Sequence, residues 1–155
     1  MQTEWEFERK FVVSYVPEGL LDTRKSVVIR QGYLATERDK HIRIRDEGDH
    51  YTMTVKQGMG LKRRDTRIEL NAAQFNDLWP LTQNMRVEKK RYRIDFFGDQ
   101  LVVDIFVGNL APLKLVEVEF DSEISSRQFL PPDFADLEVT HRKEFQNVAL
   151  ARYGL

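Results

Sequence analysis

Glu6, Glu8 and Lys10 alternate in "EFERK" and so share one face of a strand, with Glu4 ahead of them. Trp5, Phe7 and Phe11 take the opposite face, with Arg9 among them. One such strand is most simply half-buried, its charged face in water. The pattern recurs, however. Arg43 and Arg45 oppose Ile42 and Ile44 in "HIRIR", and Thr52, Thr54 and Lys56 oppose Met53 and Val55 in "TMTVK". Arg63, Asp65, Arg67 and Glu69 share a face in "RRDTRIEL". Lys89, Arg91 and Arg93 oppose Tyr92 and Ile94, and Glu117 and Glu119 oppose Val116, Val118 and Phe120.

Like charges on neighbouring strands repel unless an opposite charge lies between them. Gathered carboxylates suit a hard divalent cation. Gathered arginines and lysines suit phosphate. Closing the sheet into a barrel turns the charged face into a polar lumen and leaves the apolar face outside, under helices. That reading outweighs an open sheet with one solvated face.

The elements that would position these rows are mostly extended. Strands are expected over 3–15, 25–36, a hairpin across "DEGD", 61–70, 85–98, 99–108 and 113–121. Gly32 inside the second marks a bulge or a close approach. "GMG" at 58–60 reads as a hairpin tip. A helix follows Asn71, its N-cap, with Gln74 completing a capping box and Pro80 limiting its end. "SEISSRQFLPP" reads as a short helix stopped by Pro131 and Pro132. A last helix is expected to be capped by Thr140, to carry an apolar stripe of Phe145, Val148 and Ala149, and to end at Gly154. The chain is therefore α+β, one domain over 1–155 with an antiparallel sheet.

Composition excludes several functions. The 155 residues carry no cysteine, which removes disulfides, thiolate catalysis and cysteine zinc sites. The 24 basic and 25 acidic residues balance to a net charge of -1, which argues against a plain nucleic-acid binder. No apolar run spans a membrane and no signal-peptide core is visible, so the chain reads as cytoplasmic. His41, His50 and His141 lack zinc spacing and are expected to be surface or structural groups. The aromatics of "KKRYRIDFF" are expected in the core, not stacked on bases.

The same residues resemble the CYTH superfamily, the triphosphate tunnel metalloenzymes. Glu6, Glu8 and Lys10 match its E-x-E-x-K signature. The likeness continues in order through "RQGYL" at 30–34, Arg43 and Arg45, Lys56 in "TVK", Lys89 and Arg91 in "EKKRY", Asp104 in "VDIF", and Glu117 and Glu119 in "VEVEF". The resemblance, closest to short bacterial forms, implies an eight-stranded antiparallel closed β-barrel with flanking helices. It implies hydrolysis of inorganic triphosphate with Mg²⁺ or Mn²⁺. Glu6, Glu8, Asp104, Glu117 and Glu119 would be metal ligands. Lys10, Arg43, Arg45, Lys56, Lys89 and Arg91 would grip phosphate, and Glu6, Glu8 and Lys10 would be catalytic. The partner would be a small triphosphate, with no nucleic acid or membrane, and a homodimer is left open. Thiamine triphosphate hydrolysis, cyclisation of ATP and non-catalytic polyphosphate or nucleotide binding are the alternatives.

Two departures stand out. The fifth strand has Asp65 then Arg67 where relatives commonly carry E-x-E, and Arg142 and Glu144 replace an acid and a base near the C-terminus. Arg67 and Glu144 would then form an exchanged ion pair or be independent surface changes, and without the pair Arg67 would reach into the lumen as an extra phosphate ligand.

Overall fold

The computed structural model describes residues 2–22, 25–59 and 61–155. The first five strands are β1 (Gln2–Val12), β2 (Val27–Thr36), β3 (Lys40–Glu47), β4 (His50–Met59) and β5 (Lys62–Leu70). Helix α1 (Ala72–Leu78) precedes β6 (Arg86–Phe96), β7 (Asp99–Phe106) and β8 (Lys114–Phe120). Helix α2 (Glu123–Gln128), a two-residue β9 (Leu137–Glu138) and α3 (Asn147–Tyr153) complete the chain.

Neighbours run in the order β5-β4-β3-β2-β6-β7-β8-β1, and β5 also pairs with β1. Every pairing is antiparallel, so eight strands close into a barrel. The seam is β1. Its first half pairs with β5 up to Phe7↔Lys62, and its second half pairs with β8 from Phe7↔Phe120 to Val12↔Leu115. Where β5 ends, the C-terminal segment takes over the edge. Glu138 pairs with Phe11, the Val139 amide donates to Lys10 O at 2.8 Å, and Thr140 Oγ1 accepts from the Lys10 amide at 3.1 Å. Thr140 is thus an edge-strand partner and not the cap of α3. That helix starts later, at Asn147, because a 3-10 turn at Lys143–Phe145 precedes it.

Strand alternation separates two apolar clusters. Phe11, Tyr92, Leu101, Val103, Val116 and Val118 point outward and pack with Phe129 and Phe134 beyond α2. Val87, Phe106 and Leu115 fall on the inward face and form a plug with Leu150 of α3. Of the expected stripe on α3, Phe145 joins this cluster, but its buried anchor is Leu150 in place of Val148 and Ala149. Of the aromatics of "KKRYRIDFF", Tyr92 lies in the outer core and Phe96 packs against it as expected, but Phe97, at the turn after β6, is 95% exposed.

Local signals behave as their chemistry demands. Asn71 Oδ1 accepts from the Gln74 amide at 2.8 Å and Gln74 Oε1 from the Asn71 amide at 2.9 Å, the full capping box. Gly154 closes α3 at φ 72°. Gly60 of the "GMG" tip lies outside the described residues; Gly58, at φ +94°, pairs with Arg63. Gly32 marks a close approach, because a Cβ there would stand 2.5 Å from Thr82 Cβ. The ladder to β3 also shifts register just beyond it, between Tyr33 and Ala35.

Gly32→Ala should therefore cost about 1–3 kcal/mol through overpacking against the Thr82 turn. Urea unfolding reads this as a lower midpoint with an unchanged slope. An unchanged midpoint would refute the contact.

Candidate active site

The charged rows meet inside the barrel. Register sets Arg43, Thr54 and Arg67 side by side across β3, β4 and β5, and His41, Lys56 and Asp65 in the next row. On the far wall Lys10 faces Glu117, and Glu8 faces Glu119, across β1 and β8. The rows enclose a cavity of about 630 Å³. Glu6, Glu8, Glu117 and Glu119 line it, with Arg43, Arg45, Lys56, Arg63, Arg67, Arg91 and Arg93.

The Glu8–Glu119 opposition is the unusual feature, since directly opposed like charges destabilise a sheet. Ligand oxygens of Glu6, Glu8 and Glu119 all lie within 4.8 Å of one another. Burial pushes the Glu6 carboxyl up to about 7, Lys56 opposes the rise, and Asp65 and Glu119 add to it. Glu119 is raised by burial, then by Glu8 and Glu117. Three convergent carboxylates that repel one another form a donor set that fits a hard divalent cation with oxygen ligands.

The other charges answer one another. Lys56 Nζ donates to the Asp65 carboxylate at 2.9 and 3.1 Å and to Glu6 Oε2 at 3.4 Å. Burial, Arg43 and Arg63 lower this ammonium to about 8. Burial would raise Asp65, but Lys56 holds it at about 2. Arg63 donates to Glu8 Oε1 at 2.8 Å. Burial, then Arg43 and Arg91, lower the Arg45 guanidinium to about 9. Cations crowded this closely form a preformed anion site.

Three expected site residues lie off the cavity lining. Asp104 is fully buried, and Arg91 grips both its oxygens at 2.8 Å while Lys89 lies 2.9 Å away. These two cations hold it between them as a brace, apart from the group formed by Glu6, Glu8 and Glu119. Lys89, 1% exposed, divides its ammonium between Asp104 and Asn147 Oδ1 at 3.2 Å, so it braces the wall and does not reach into the cavity. Lys10 lies 3.4 Å from Glu117 Oε1 and donates to the Phe145 carbonyl at 3.3 Å. It thereby holds Glu117, which lines the cavity outside the three-carboxylate group.

The exchanged ion pair is also corrected. Glu144 accepts from its neighbour Arg142 at 2.9 Å, and Arg67 lies 3.6 Å from Asp65. Among the described residues no ion pair joins Arg67 to Glu144. Of the two expected settings for His41 the structure has the structural one: it is buried, lines the cavity, and meets Tyr33 edge-on with ring centroids 5.6 Å apart. The alternation of "HIRIR" already puts it on the face of Arg43; a search for zinc spacing passes over that signal. Arg63, Asp65 and Arg67 were legible as one strand face, and Tyr33 and Glu47 carry no comparable charge pattern.

Two measurements test this account. Asp104→Asn should cost about 3–5 kcal/mol in urea unfolding, because it strands two buried cations; a loss under 1 kcal/mol would refute the brace. Burial, then Lys56 and Arg43, lower His41 from its ordinary 6.5 to about 4. Between these values the unfolded chain binds more protons than the folded one, so stability falls as pH drops through that window. His41 contributes a loss of about 2 kcal/mol between pH 7 and 5, opposed over the same window by the raised Glu6 carboxyl, so it is read as the difference in slope between the parent and His41→Gln. Equal slopes in both proteins would refute it.

Comparison with known proteins places the chain in a family. The CYTH domain model matches residues 4–150. The chain is 45% identical over 148 residues to the inorganic triphosphatase of Nitrosomonas europaea, covering 94% of this chain and 96% of that one. It is 32% identical over 149 residues to the inorganic triphosphatase of Acetivibrio thermocellus, covering 95% and 93%. A crystal structure of an inorganic triphosphatase superposes with a TM-score of 0.71 at 42% identity, over 95% of this chain and 94% of that one. A putative adenylate cyclase from Bacillus halodurans, at 19% identity and a TM-score of 0.61 over 82% and 86%, shares the fold. With its carboxylates and guanidiniums facing one another inside a closed eight-stranded barrel, the chain belongs to the CYTH domain family.

Proposed function

We propose that the protein is a divalent-metal-dependent inorganic triphosphatase that works as one domain. The observation that carries this reading is the convergence of Glu6, Glu8 and Glu119 in the same cavity as a wall of guanidiniums. Two relatives that cover nearly the whole chain are named inorganic triphosphatases, which supports the substrate.

Glu6, Glu8 and Glu119 would hold Mg²⁺ or Mn²⁺, both suited to carboxylate oxygens. Bound there, such an ion supplies Lewis-acid neutralisation of charge on the transferring phosphoryl group. Arg43, Arg45 and Arg91 bind nonbridging oxygens as forks, and Lys56 binds as a point charge. Asp104 fixes the plane of the Arg91 guanidinium, and Arg63 fixes Glu8. Water displaces pyrophosphate from a terminal phosphorus in line, which leaves phosphate as the other product and needs no covalent enzyme intermediate. Among the described residues no helix is long and apolar enough to cross a membrane.

Phosphate release should be measured from tripolyphosphate, ATP, thiamine triphosphate and pyrophosphate, with Mg²⁺, with Mn²⁺ and with EDTA. Tripolyphosphate should be the preferred substrate, and EDTA should stop its turnover. Glu8→Gln should remain folded and lose activity on the order of 10²–10³-fold. Turnover that persists in EDTA, or in Glu8→Gln, would overturn the metal assignment, and tripolyphosphate binding without turnover would make the protein a sensor.

A further inference from the structure

At position 67 the tunnel wall carries a cation beside a carboxylate already in use. Asp65, two residues earlier on β5, is 1% exposed and bonded by Lys56 at 2.9 Å. Arg67 Nη2 adds a second cation 3.6 Å from the same carboxylate. On the opposite wall Asp104 is likewise occupied by Lys89 and Arg91. Among the described residues, Glu6, Glu8 and Glu119 form the one carboxylate group with ligand atoms close enough for a metal ion.

Arg67 also has the surroundings of an anion ligand. It lines the cavity together with Arg43 and Arg45. Thr54 separates Arg43 from Arg67 in their shared row, and its side chain is too short to answer either charge. Arg43 is 6% exposed, and its Nε has no hydrogen-bond partner. A buried guanidinium donor without an acceptor is costly unless an anion completes it. Arg67 adds to the positive field that Arg43 and Arg91 impose on Arg45. Arg67 lies four residues along β5 from Arg63, the partner of Glu8, so it sits beyond the carboxylate group.

We propose that Arg67 is a phosphate-binding residue that does the work of a second divalent cation, so that the tunnel takes one such ion per chain. With Arg43 and Arg45 it holds the phosphate group farther from Glu6, Glu8 and Glu119. A fixed guanidinium neutralises that end of the substrate without depending on metal concentration, and its fork sets the orientation of the phosphate. This inference rests on the triphosphatase reading and adds to it a metal count and a specificity residue.

Three measurements decide it. Calorimetry in EDTA should show tripolyphosphate binding to the parent protein, weakened about tenfold in Arg67→Ala and partly restored in Arg67→Lys, which keeps the charge and loses the fork. Electron paramagnetic resonance of Mn²⁺, in the presence of imidotriphosphate, should count one bound ion per chain in the parent. With metal present, Arg67→Ala should raise KM more than it lowers kcat, whereas a purely structural role would lower the urea midpoint and leave the affinity of the folded fraction unchanged. Two Mn²⁺ ions per parent chain would overturn the proposal, as would equal metal-free binding by the parent and Arg67→Ala. If Arg67→Ala fails to fold, the parent Mn²⁺ count and the affinity of Arg67→Lys decide the matter alone. A parent that neither binds tripolyphosphate nor releases phosphate from it would overturn the triphosphatase reading itself. A parent that hydrolyses it while Arg67→Ala binds equally well would overturn the Arg67 assignment alone.

Discussion

Charge confined in a lumen of low dielectric is the constraint on which the rest of the structure depends. An ion taken out of water is costly unless an opposite charge and good hydrogen bonds meet it. The barrel meets this demand wall by wall, by pairing opposite charges on adjacent strands. Lys56 answers Asp65 between β4 and β5, Arg91 answers Asp104 between β6 and β7, and Lys10 answers Glu117 between β1 and β8. Two features go beyond this pairing: Glu119 faces Glu8, which Arg63 already answers, and Arg43 crowds Arg45, which Arg91 also approaches. In the function proposed above, they are the complementary halves of a site for a cation and a polyanion.

A lumen of this kind cannot also be the hydrophobic core, so the apolar burial is moved elsewhere. The outward face of β1, β6, β7 and β8 carries one cluster, and the inward positions beyond the last charges carry another, sealed by Leu150. The plug has an electrostatic role as well. It keeps water from one end of the lumen, which strengthens the ion pairs next to it. Lys89 shows the boundary directly: its ammonium bonds Asp104, and it lies 5.3 Å from the centroid of the Phe106 ring within the plug.

Much of this was legible in the sequence because a strand has period two. Alternation in "EFERK", "HIRIR" and "VEVEF" assigns the inward face without knowledge of which strands are neighbours. Neighbour identity is what the sequence withholds. Asp104 and Glu119 look alike as carboxylates on strands. The register places Asp104 opposite Arg91, where it becomes a brace, and Glu119 opposite Glu8, where it joins a cation site. The expected Arg67–Glu144 exchange failed for a related reason. Two residues of opposite sign suggest a pair only if the fold brings them together, and Glu144 found Arg142 two residues away. Thr140 failed as a cap because the open edge of β1 claimed its hydroxyl first.

The handover at β1 also bears on how the chain reaches this state. Phe7 must find Phe120, and Phe11 must find Glu138, so the first strand is held by segments far along the chain. Strands β2 to β5 are consecutive antiparallel hairpins, since β3, β4 and β5 each pair with the strand before, so their contacts are local in sequence. The strand that carries Glu6, Glu8 and Lys10 gains its second neighbour only after β8 has emerged. Pairings so distant in sequence close slowly, because the loop entropy is lost before the contacts form. A nascent chain thus carries its cation-binding carboxylates on an open edge, and their alternating charges protect that edge from pairing with another chain during the wait.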